Sequence, residues 1–76
     1  MNKAYLGIDV GSISTKGVII DVNNNILAKK YLYTEGNPIG AVKRLLKVLE
    51  NQFSQDLYEV VSVGTTGSAR KLVGAV

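Results

Sequence analysis

Two short runs of alternating apolar residues, separated by little more than Gly11-Ser12, constrain this chain more than any other feature of it. From Ala4 to Val10, Leu6, Ile8 and Val10 fall on one side and Tyr5, Gly7 and Asp9 on the other, the period of two that a half-buried strand requires. From Ser14 to Asp21, Lys16, Val18 and Ile20 alternate with Thr15, Gly17 and Ile19, and the β-branched content again favours a strand. So short a break between two strands predicts a hairpin. Asn23-Asn24-Asn25 tolerates left-handed backbone and predicts a second tight turn into a third antiparallel strand over Ile26 to Tyr33.

Asn37-Pro38 then reads as a helix start, because Asn caps orphan amides and proline suits the first helical position. Ile39, Val42, Leu45, Leu46, Leu49 and Phe53 keep the helical period, so the helix is predicted to run to about Ser54 with Lys43, Arg44, Lys47 and Glu50 on its solvated face. Glu59 to Gly64 predicts a fourth strand, parallel to an earlier one because a helix connects them. Thr65-Thr66-Gly67 reads as a turn, and Ala69, Leu72, Val73 and Val76 as the start of a second amphipathic helix from Ser68. The fold class is α/β.

Composition narrows the function. Seventy-six residues, 46% hydrophobic and 20% charged, make one small folded domain and not a solvated tail. The net charge of +3 is spread along the chain without a run or stripe, which speaks against nucleic-acid or membrane-surface binding. With no Cys and no His, disulfides and thiolate or imidazole metal sites are excluded, and any metal must be held by oxygen. No run is long enough to span a membrane and the first residues lack a signal-peptide pattern, so a cytoplasmic location is expected. Tyr5, Tyr31, Tyr33 and Tyr58 are expected to be packing residues.

The chemistry is concentrated in Gly7-Ile8-Asp9-Val10-Gly11-Ser12-Ile13-Ser14-Thr15-Lys16-Gly17. A Walker A loop needs its lysine after the last glycine and a helix beyond, whereas here Lys16 precedes Gly17 and strand formers follow. A dinucleotide fingerprint fails on glycine spacing and on the strand that follows. A hairpin fits: Gly11 lets backbone approach an anion, the amides around Ser12 and Ile13 form a concave donor nest, and hydroxyls and the Lys16 ammonium complete it. Singly, an Asp at a strand end or a Gly-Ser turn is an ordinary turn former. Their combination at this spacing favours a ligand site.

That stretch resembles the first phosphate loop of the superfamily of actin, heat-shock chaperones and sugar kinases, whose core is a ribonuclease-H-like sheet. Together with Val63-Gly64-Thr65-Thr66-Gly67-Ser68-Ala69-Arg70, it resembles more narrowly the ATPase activators of 2-hydroxyacyl-CoA dehydratases and the ATPase subunits of benzoyl-CoA reductases. Many activators carry tyrosine and glycine where this chain has Ser68 and Ala69. The resemblance implies that residues 1–76 are the N-terminal part of one actin-like ATPase domain, a half-domain with strand order 26–33, 14–21, 4–10, 59–64 that ends before its fifth strand and so leaves the fourth as an apolar edge without charge, proline or bulge, a template for self-association.

By the same resemblance Asp9 holds a water-ligated magnesium ion and is the catalytic carboxylate, and Gly11, Ser12 and Ile13 give amides to the phosphates of ATP or ADP. Ser12, Ser14 or Thr15 gives a hydroxyl, Lys16 a positive charge, and Thr65, Thr66 and Gly67 a second nucleotide-facing loop. It further implies a homodimer that uses ATP to drive an electron onto a partner CoA-ester dehydratase or reductase through an iron–sulfur (4Fe–4S) cluster, whose cysteines would lie beyond Val76. A sugar or polyol kinase and an actin-like nucleotide-binding scaffold are the alternative readings. The isolated segment is expected to lack ATPase activity.

Overall fold

The structure, a computed structural model, describes residues 1–67 as a small mixed α/β domain. In chain order it contains β1 (Asn2–Val10), β2 (Ser14–Asp21), β3 (Ile26–Tyr33), α1 (Pro38–Glu50) and β4 (Tyr58–Gly67). The four strands form one sheet in the order β3-β2-β1-β4, with β1 antiparallel to β2, β2 antiparallel to β3, and β4 parallel to β1. The antiparallel hairpins and the parallel fourth strand are those expected from the sequence pattern, and the order is the one that the family resemblance implies. The expected helix from Ser68 lies outside the described residues.

The alternation decides which face each residue takes. Ala4, Leu6, Ile8 and Val10 of β1 and Thr15, Gly17 and Ile19 of β2 turn to the side that α1 covers, and all are buried. From α1, Ala41, Val42, Leu45 and Leu49 complete the core with no exposed surface. The helix packs over β2 and β3. Gly17 lies beneath it, where a Cβ would meet Leu45 Cδ2 at 2.8 Å and Leu49 Cδ1 at 2.9 Å, so the close approach of helix to sheet depends on the missing side chain. On the same side of β4, Val60 and Val63 remain 38% and 45% exposed, Val60 bordering a recess with Leu46, Glu50 and Phe53. No helix among the described residues is long and apolar enough to cross a membrane.

The turns follow their chemistry. The Asp21 carboxylate accepts the N–H groups of Asn23 at 2.8 Å and Asn25 at 2.9 Å and the Asn25 side-chain amide at 3.0 Å, while Asn24 takes φ 66°. Those hydrogen bonds, the Asn25 side chain first, hold the Asp21 carboxyl below the usual carboxylate range. Between β3 and α1, Glu35 and Gly36 take φ 54° and 70°, and Asn37 N–H closes the turn onto Thr34 O at 3.1 Å. Asn37 then caps α1 by accepting Gly40 N–H at 3.1 Å, with Pro38 behind it, as expected.

Three boundaries differ from expectation. The helix stops at Glu50 and not Ser54, although Phe53 keeps the period and still packs against the core and, edge to face, on Tyr58. Side chains end it: Asn51 Nδ2 donates to Lys47 O at 3.0 Å and Gln55 Nε2 to Glu50 O at 3.2 Å, satisfying carbonyls that another helical turn would otherwise use. Gln52 meanwhile accepts the edge amide of Lys29 at 3.0 Å. Thr65-Thr66-Gly67 is not a turn but the end of β4, paired with Ile8, Asp9 and Val10. The fourth strand is also not a flat edge, because the register shifts where Ala4 pairs Val60 and Tyr5 pairs Ser62, leaving Val61 as an extra residue.

Candidate functional site

Opposite the helix, the sheet presents a face that no described element covers. Its residues form rows across the strands, because paired residues share a face. One row is Tyr31, Lys16, Asp9 and Thr66; the next is Lys29, Val18, Gly7 and Gly64; the third is Ile26, Ile20, Tyr5 and Ser62. The first row therefore brings together Asp9 and Lys16, both singled out from sequence, at the end of the sheet where the β1–β2 hairpin turns over, with Thr66 at the register position on β4 that pairs with Asp9. Asp9 and Lys16 are exposed. As a directly opposed pair their Cβ atoms lie about 4.5–5.5 Å apart, so carboxylate and ammonium can share one ligand.

Behind that row, Gly7 and Gly64 face each other without side chains and leave a shallow depression of about 470 Å³, lined also by Ile8, Asp9, Lys16, Gly17, Val18 and Thr65. A Cβ on Gly7 would make only an ordinary 3.5 Å contact with Val18, and one on Gly64 would meet nothing within 4 Å among the described residues. Neither glycine is demanded by packing. The pair bares a strip of backbone beside one carboxylate and one ammonium. A second recess of similar volume adjoins it at Lys16, Gly17, Lys29, Lys30 and Tyr31, so cationic side chains border the site on its β3 side.

The hairpin itself is closed by Gly11 N–H donating to Ser14 O at 2.8 Å, with Ser12 and Ile13 exposed at its tip. A Cβ on Gly11 would lie 3.2 Å from that same carbonyl, so glycine is what lets the strands close here. No residue from Gly11 to Ser14 takes a positive φ, so an amide concavity at Ser12 and Ile13 would be of the turn kind and not of the kind that alternates right- and left-handed backbone. The loop carbonyls turn inward. Gly11 O accepts the Thr34 hydroxyl at 2.8 Å, and Ile13 O accepts Thr34 N–H at 2.7 Å.

Thr15 takes a different place from its expected one. It is fully buried, and its hydroxyl lies 2.9 Å from that of Thr34, which is 2% exposed. Of the hairpin hydroxyls, those of Ser12, exposed, and Ser14, partly so, are the ones open to solvent. Thr65 pairs with Ile8 and so shares the helix-side face, away from Asp9. Gly67 pairs with Val10. Thr34 was not anticipated, although Thr15 shares the parity of buried Ile19 and a core hydroxyl needs a partner.

The donor set fits magnesium but not a cluster. Magnesium keeps most of its waters and takes one or two carboxylates plus phosphate oxygens, which a single exposed Asp9 can supply. Among the described residues no three acidic, Cys or His side chains gather, so an all-protein metal cage is not built. Iron–sulfur ligation needs cysteine thiolates, and none of the 76 residues is cysteine. Comparison of the chain with protein-family models, curated proteins and solved structures found no match.

Proposed function

We propose that this chain is the phosphate-gripping front of an actin-like ATPase with a ribonuclease-H-like sheet. The observation that carries the reading is the opposed pair Lys16 and Asp9 at the mouth of the Gly11–Ser14 hairpin, on the face that α1 leaves open. In this reading Asp9 holds the waters of a magnesium ion, Ser12 gives an amide and a hydroxyl to phosphate oxygens, and Lys16 neutralises charge. The Gly7–Gly64 strip lets the ligand approach backbone. Catalysis in such a site is placement and charge neutralisation, with little covalent work for the protein. The reaction served is ATP-driven activation of a CoA-ester dehydratase or reductase in a homodimer, with the iron–sulfur cluster held by residues other than these. That last step rests on the motif resemblance.

The test is an amide-resolved NMR titration of the chain with magnesium-ADP and magnesium pyrophosphate. Shifts should concentrate at Gly7, Asp9–Lys16 and Gly64–Gly67, saturate only at millimolar ligand because one loop is half of a two-lobed clamp, and vanish in Asp9→Ala. In the ATPase that carries this segment, Asp9→Ala should abolish magnesium-dependent hydrolysis with circular dichroism unchanged. Wild-type turnover in that variant, or shifts that ignore Asp9, would sink the assignment.

A further inference from the structure

Thr34 ties the hairpin tip to the rest of the domain. Its hydroxyl has one proton, which goes to Gly11 O at 2.8 Å, so in the 2.9 Å contact between the two threonine hydroxyls Thr15 must be the donor. Its N–H goes to Ile13 O at 2.7 Å, and its own carbonyl accepts Asn37 N–H at 3.1 Å. One buried residue thus joins the loop, the core of β2 and the cap of α1. The tip has no apolar anchor of its own, since Ile13 is 71% exposed.

Among the described residues every peptide bond is trans, and across a trans peptide the C=O of one residue and the N–H of the next point in opposite directions. Drawing Gly11 O inward onto Thr34 therefore turns the Ser12 N–H outward, toward the side where an anion would sit. We propose that Thr34 is the positioning residue of this hairpin, its hydroxyl fixing the direction of the Ser12 amide and thereby the affinity of the loop for phosphate. The phosphate half of this rests on the function proposed above; the orientation half does not.

Thr34→Val keeps the shape of the side chain and removes the hydroxyl, whereas Thr34→Ser keeps the hydroxyl. In the 76-residue chain, Thr34→Val should shift the Ser12 and Ile13 amide resonances, speed their hydrogen exchange, and weaken magnesium pyrophosphate binding roughly tenfold, the equivalent of one hydrogen bond's net contribution. Thr34→Ser should restore both. If Thr34→Val leaves the Ser12 amide and the affinity as in the wild type, or if valine and serine variants lose affinity equally, the proposal is overturned. Absence of pyrophosphate binding by the wild-type chain would overturn the phosphate half alone, while the amide data still decide the orientation. Should Thr34→Val not fold, the wild-type Thr34 hydroxyl proton decides: slow exchange supports its bond to Gly11 O, and exchange at the rate of an exposed hydroxyl refutes it.

Discussion

Gly17→Ala isolates the packing of helix on sheet, because nothing but space requires glycine there. The added Cβ would stand 2.8 Å from Leu45 Cδ2, 2.9 Å from Leu49 Cδ1 and 3.3 Å from Leu45 Cγ. Carbon atoms settle about 3.5–4.0 Å apart, so two side chains must each give by most of an ångström. Both leucines have no exposed surface, so any movement must displace other core side chains or, for Leu49, use the recess it shares with Leu6, Ile19 and Phe53. Overpacking of this kind costs about 1–3 kcal/mol, offset by about 0.4–1 kcal/mol from a less flexible unfolded chain. The expected net loss is about 1–2 kcal/mol, or roughly 5–15 °C in Tm for a domain of this size. Urea unfolding followed by circular dichroism measures it, with Gly7→Ala and Gly64→Ala as controls whose Cβ atoms meet ordinary contact or open space. Both controls should match or exceed the wild type. If Gly17→Ala unfolds no earlier than they do, α1 does not sit on β2 as described.

The glycines of the open face give the complementary expectation: Gly64→Val should leave the urea midpoint within about 0.5 kcal/mol of wild type, as surface substitutions do, yet weaken magnesium-ADP binding in the NMR titration. At the turn into α1, Glu35→Asn should raise stability by about 0.5–1 kcal/mol, since Glu35 holds φ 54° and Asn-Gly is the favoured pair where both central residues are left-handed. Gly36→Ala should lower it by about 1 kcal/mol or more, because φ 70° suits only glycine among side chains that small; thermal unfolding reads both. Asp21 has its carboxyl lowered below the ordinary 3.8 by the Asn25 and Asn23 donors, so its stabilisation is complete above the unfolded value and is lost as pH falls through the lowered folded one. The gap in urea midpoint between wild type and Asp21→Ala should therefore narrow on the acid side of that range and stay constant above it.

Much of this was legible before the structure because parity and capping are local. The alternation in β1 and β2 placed Leu6, Ile8 and Val10 together, Asn24 took the left-handed position that an Asn run allows, and Asn37-Pro38 opened α1. What escaped depended on contacts between distant segments. Phe53 continues the helical period, yet the helix ends three residues earlier because Asn51 and Gln55 side chains take its last carbonyls. Thr65-Thr66-Gly67 has turn composition, but β1 offers its backbone as far as Val10 and the pairing draws β4 along it. Nor could the loop residues by themselves show that Thr34, far along the chain, sets the direction of the Gly11 and Ile13 carbonyls.

The glycines show why spacing could suggest a site without resolving it. Gly7, Gly11 and Gly17 fall within one short motif, and, as the alternation predicts, only Gly11 lies in the loop. Gly17 pairs with Ile8 and faces the helix; Gly7 pairs with Val18 and faces away. One is empty so that leucines can descend, the other so that backbone is bared, and strand parity relative to α1 separates the two. The same division runs through the hydroxyls. Thr15, on the helix side, spends its proton on Thr34, while Lys16 beside it joins Asp9 on the open face. Thr15 and Gly17 of β2 therefore serve packing, while Lys16 between them stands on the face to which the proposed function assigns ligand chemistry. Substitutions at Thr15 and Gly17 should be felt in unfolding, and those at Lys16 and Gly7 in binding. The hairpin is where the two meet, because Thr34 carries the order of the buried face to an exposed amide.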